Sequence, residues 1–168
     1  MSSDPDKDTV YAAEALAFLG TPLADRQQES SIVEGYHTML DAPWWKWGTI
    51  EIRQARADMV RAGGYASLFG ISTSAGRVER YTISHELAHM VVKRQGICDR
   101  HGPQFRTAHL YTVGAGFGRQ YADLLAQAYE DYNLPVFLTP GGLGIPPVPT
   151  INIDALSIAA APRGGWRR

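Results

Sequence analysis

The chain has 168 residues, with 16 Lys+Arg against 17 Asp+Glu, five His and one Cys. A hydrophobic share of 45% with 10% aromatics is enough for a packed core and rules out disorder throughout. A formal net charge of −1 exerts no global pull on nucleic acid or an anionic membrane, and no apolar run reaches the ~20 residues of a transmembrane helix.

The start, MSSDPDKDTV, is polar and acidic and does not read as a secretory signal. Asp8 is placed to cap a first helix whose stripe is Val10, Ala13, Leu16, Ala17 and Phe18, ended by Gly20, Thr21 and Pro22. A second helix is predicted over about Ser30 to Leu40, stopped by Asp41-Ala-Pro43. Trp44, Trp45 and Trp47 follow, reading as core at a helix–strand junction or as the lining of a substrate groove. Thr49 to Arg53 alternates apolar and charged residues, as a half-buried strand does. Tyr65 to Phe69 and Ile71 to Thr73 supply two more short strands, so the middle third reads as a small antiparallel sheet. The first of these strands is also a candidate edge for an extended peptide.

A long helix is predicted from Arg77 to Gln95, ended at Gly96. Pro103 opens another toward Thr112, which Gly114, Gly116 and Gly118 interrupt, and Arg119 to Tyr132 reads as a last helix. Composition changes at Leu134, and six of the ten prolines lie at or after Pro135. The organisation expected is therefore a domain over 1–133 and a Pro/Gly-rich arm over 134–168. The single cysteine, Cys98, excludes an internal disulfide framework and fits a reducing cytoplasm.

The chemistry lies in His85-Glu86-Leu87-Ala88-His89. Positions four apart on a helix stand nearly above one another, so His85 and His89 can offer two imidazoles to one metal ion. Glu86 lies 100° round from His85, beside such an ion rather than on it, where a carboxylate can take a proton from an attacking water. Composition alone would produce such a pattern in about 0.6% of chains like this one. A catalytic zinc site needs a third protein ligand. His101, twelve residues after His89 and just before Gly102-Pro103, is the first choice, with Glu130, Asp99 and Cys98 competing. The metzincin spacing is excluded, because its glycine and third histidine would fall on Val92 and Gln95. Donors to a developing oxyanion stay open among Tyr65, Tyr81, Arg77, Tyr111 and His109; as a lone histidine His109 reads as structural, and His37 as a surface or capping residue.

HELAH at 85–89 followed by HGPQF at 101–105 resembles the SprT/Spartan-like zinc metalloproteases, in particular compact bacterial and phage metallohydrolases. The resemblance spans about Thr49 to Asn133 and extends to the first helix. It implies Zn2+ held by His85, His89 and His101, Glu86 as catalytic base, and a zincin-like α+β fold in which a small antiparallel sheet packs on the HExxH helix. It also implies a protein or peptide substrate. The family's action on proteins crosslinked to DNA would make nucleic acid a partner, but this chain shows no zinc ribbon, DNA-binding appendage or basic excess. Two further readings stand beside the peptidase. One is a hydrolase acting on a non-peptide substrate, since the site activates water without dictating which bond breaks. The other is a non-catalytic binding or assembly protein stapled by its metal.

Overall fold

Val10, Ala13, Glu14, Ala17 and Phe18 fall at i, i+3, i+4, i+7 and i+8, and all five are buried on one face of helix α1 (Lys7–Phe18). Glu14 is thus inside, whereas Leu16, expected inside, is exposed. The helix starts one residue before the expected cap. Asp6 occupies the N-cap position without a side-chain cap bond, its carboxylate turned instead to Arg106. The computed structural model that shows this describes residues 4–28, 34, 35, 37, 39, 41, 45, 51–54, 64–66, 70–73, 77–97 and 100–137.

Five short strands follow: β1 (Arg26–Gln28), β2 (Glu51–Gln54), β3 (Gly64–Ala66), β4 (Gly70–Thr73) and β5 (Arg77–Glu79). β1 pairs antiparallel with β5, bringing Gln27 opposite Val78. The other three form a separate ladder in the order β2-β4-β3, with β2 and β4 parallel (Ile52 opposite Ile71) and β3 antiparallel to β4. Glu34, Gly35, His37 and Met39, inside the second predicted helix, and Asp41, expected to stop it, are helical, and His37 is exposed. Trp45 is partly buried against the core; Trp44, Trp47, Cys98, Asp99 and 138–168 lie outside the described residues.

Helix α2 (Thr82–Arg94) begins five residues later than expected, because Arg77–Glu79 is taken up by pairing with β1. Thr82 to Val92 are all buried except His89, which is half-buried. Lys93 and Arg94 complement the dipole of the last turn, and Gly96 at φ +74° provides the left-handed exit. Helix α3 (Pro103–Phe117) opens on its proline as expected but runs through Gly114 and Gly116. The side chain of Met39 lies where a Cβ on Gly116 would be, so here the glycine permits a close approach. The chain breaks only at Gly118, φ +106°, before helix α4 (Arg119–Asp131).

Helix α3 packs against both α2 and α4, and α1 lies along α4. Their contact buries Phe18, Leu87, Met90, Phe105, Leu125 and Tyr129 completely or nearly so, each worth roughly 1.5–3 kcal/mol relative to exposure. The expected α+β fold, an antiparallel sheet packed on the HExxH helix, is therefore overturned. The described interior is built by four helices, and the strands are fragments of three or four residues in two separate ladders, one of them with a parallel pair. Period-2 alternation read the local conformation of these fragments but not their pairing, because parallel or antiparallel register is decided by contacts remote in sequence. Among the described residues, no helix is long and apolar enough to cross a membrane.

Candidate metal centre

His85 and His89 project from the same side of α2, their ring centroids 4.9 Å apart. His101 reaches them from the turn between α2 and α3, with its ring 5.2 Å from His85 and 4.7 Å from His89. One ring nitrogen from each lies within 4.8 Å of the other two, so the three expected ligands converge. Phe105, in the first turn of α3, packs on all three: its ring lies tilted on His89 at 4.2 Å and meets His85 and His101 edge-on.

The two better-buried imidazoles are oriented by acids. His85 Nδ1 lies 2.7 Å from Glu14 Oε1, and His101 Nδ1 lies 2.6 Å from Asp4 Oδ2. An ionised carboxylate only accepts, so each Nδ1 is a donor and each Nε2 is left for another partner. The two Nε2 atoms face each other at 3.3 Å. Metal–nitrogen bonds of about 2.0–2.1 Å at a tetrahedral angle would place two ligand nitrogens about 3.3 Å apart. The donor set therefore fits a metal ion, in the carboxylate–histidine–metal arrangement that fixes tautomer and ring direction.

Charge balance supports the same geometry. Burial pushes the His85 imidazolium down, but the Glu14 carboxylate beside it outweighs burial, and the group ends above its ordinary value. Burial likewise pushes Glu14 up, and His85 and His109 outweigh that, holding the carboxyl below its usual range. His101 is lowered by burial, although Asp4 opposes the shift. These directions favour a proton on His85 Nε2 directed at the facing Nε2 of His101. A divalent cation would take the place of that proton. His89, lowered by burial and by its two imidazole neighbours, is held neutral and ready to ligate.

Glu86 is buried, and its carboxylate is near enough to contribute to raising His85 and to the upward shift of the Tyr11 hydroxyl. His109 is not isolated. Its Nδ1 lies 2.9 Å from Tyr129 Oη and 3.4 Å from Glu14 Oε1, its Nε2 lies 3.4 Å from Ser84 Oγ, and burial lowers it to about 3. With Glu14 and His85 it forms a second group that could hold a metal ion. Its polar partners and full burial fit a neutral histidine that buttresses Glu14.

Glu130, the rival third ligand, is exposed on α4, away from the converging imidazoles. Of the oxyanion-donor candidates, Tyr65 and Arg77 lie on β3 and β5, and Tyr111 is buried in α3. Sequence reasoning missed Asp4, Glu14 and Arg106. Arg106 is buried, donates Nη1 to Asp6 Oδ2 and to the His101 carbonyl, each at 2.8 Å, and donates Nε to the Pro135 carbonyl at 2.9 Å. It pins the turn that presents His101. A signal for Glu14 was available: an acid on the apolar stripe of α1 marks a carboxylate that folding buries and must partner. Asp4 had none, being a polar residue near a polar terminus.

Comparison of the chain with protein-family models, with curated proteins and with solved structures finds no match.

Proposed function

We propose that this chain is a zinc-dependent peptidase of the kind its HELAH and HGPQF segments resemble, with His85, His89 and His101 as ligands and Glu86 as general base. The observation that supports it is the convergence of three imidazoles, two of them held by acids through Nδ1 and facing each other through Nε2 at 3.3 Å. The fit of that distance to a tetrahedral ion favours zinc, which takes nitrogen ligands in this geometry. Zinc in such a site acidifies water and polarises a carbonyl. Glu86 takes the proton of the attacking water and hands it to the departing amine. Burial of the site beneath α1 keeps Glu86 away from bulk water, and the half-buried edge of His89 leaves an approach for substrate. A reducing, cytoplasmic setting is part of this reading and rests on the single cysteine.

The test is metal analysis of the purified chain together with peptidase assays on casein and a peptide library. About one zinc per chain and measurable cleavage are expected. Glu86→Gln should keep its zinc and lose at least 10²-fold in turnover. A chain that binds zinc but cleaves no peptide would make the metal a staple or direct the activity to another bond. Normal turnover in zinc-loaded Glu86→Gln would remove Glu86 as the base.

A further inference from the structure

A second aromatic ring besides Phe105 borders His85 and His101. Tyr11 packs on His85 at 5.3 Å and on His101 edge-on at 5.4 Å, yet 39% of it is exposed. It comes from α1, three residues before Glu14 and thus on the same side of the helix as the carboxylate that orients His85. Lys7, one turn earlier, lies over the same ring at 5.7 Å. Phe105 also touches the ligand rings, but it is buried and has no donor. Tyr11 combines contact with two ligands, a hydroxyl and access to solvent.

We propose that Tyr11 is a catalytic residue, the hydrogen-bond donor to the scissile carbonyl oxygen as that oxygen gains negative charge. This inference rests on the peptidase reading and adds the residue that completes its site. Two features support it. The ring is seated against two of the imidazoles that would hold the ion, beside the place a carbonyl drawn to that ion would take. Its position at the surface leaves room for a substrate that the buried Tyr111 does not have. A single preorganised donor of this kind is worth about 10²- to 10³-fold in turnover.

The experiment compares the full chain with Tyr11→Phe, which keeps the ring against His85 and His101 and removes only the hydroxyl. Both are loaded with cobalt, and the visible spectrum of the metal is titrated with phenylphosphonate, a tetrahedral oxyanion, and separately with 2-mercaptoethanol, which ligates without an oxyanion. The expected result is phenylphosphonate binding weakened about 10-fold with thiol binding unchanged, and kcat on a casein-derived peptide lowered at least 10²-fold with KM within a few-fold. Equal phenylphosphonate affinity in the two proteins, or equal weakening of both probes, overturns the assignment and leaves the peptidase reading standing. A parent chain without metal or without peptide cleavage overturns both. Full kcat in Tyr11→Phe overturns this inference alone.

Discussion

Glu14 does more for the metal centre than its place in the sequence suggests. It is a buried carboxylate on an apolar helix face, tied at 2.7 Å to His85 Nδ1 and braced at 3.4 Å by His109. Because it raises His85 while burial lowers His101, a proton is favoured on His85 Nε2, facing Nε2 of His101. The sign of the pH dependence follows. Below the raised value of His85 the ion must displace that proton, so zinc affinity should rise about tenfold per pH unit, with proton release on binding, and level off above it. Calorimetry in buffers of different ionisation enthalpy measures that proton. Glu14→Gln removes the charge that raises His85, so proton release should shrink. The same change should weaken zinc about 10- to 100-fold in chelator competition, the usual cost of losing such an outer-sphere partner. Unchanged affinity in Glu14→Gln would remove this carboxylate from the account of the site.

Among the elements, the turn between α2 and α3 decides whether a two-histidine helix becomes a three-histidine centre. Gly96 lets the chain leave α2, Pro103 restarts it as α3, and Arg106, one turn on, donates back to the carbonyl of His101. The same guanidinium reaches Asp6 before α1 and the Pro135 carbonyl after α4, so three separate parts of the chain meet on one side chain. Asp6 is partly exposed, so the cost of losing Arg106 lies mainly in carbonyls left without a donor, about 1–3 kcal/mol each. Arg106→Met should therefore lower Tm by several degrees, at about 2–4 °C per kcal/mol for a chain of this length. It should also weaken zinc binding by loosening His101, although no ligand is touched. A thermal melt and a chelator titration on the same sample check both, and a destabilised variant with parental zinc affinity would separate the turn from the site.

For the whole molecule, the candidate metal centre lies where segments distant in sequence meet: Asp4 and α1, α2 and the His101 turn, with His109 and Tyr129 beyond Glu14. An ion bound there would tie these segments together in the folded state and would have no comparable site in the unfolded chain. Folding stability should then rise with free zinc by mass action, about 2.7 kcal/mol at a hundred times the dissociation constant. Chelation should lower Tm, and zinc should restore it in a concentration-dependent way. His89→Ala, which removes a ligand without opening the Glu14 network, should melt alike with and without zinc. A chelator-insensitive melting temperature in the parent chain would mean that the ion does not link these segments.

How much of this was legible depends on the distance over which each feature is decided. The pairing of His85 with His89 and the flanking place of Glu86 are consequences of helical pitch, so the sequence alone determined them. Pro103 as a helix start and Gly96 as a helix end are equally local, and the structure has both. His101 was within reach of reasoning from chain length, but its arrival at 3.3 Å from His85 is a tertiary fact. The partners of the two buried imidazoles, 71 and 97 residues away along the chain, were beyond any local pattern. Helix α3 runs through Gly114 and Gly116, with Met39 where a side chain on Gly116 would be, and the expected sheet gave way to a helical interior. Spacing along one helix is enforced by backbone hydrogen bonds within a few residues. Which carboxylate neutralises a buried imidazole, and which strand finds a partner, is settled only when remote surfaces compete for burial.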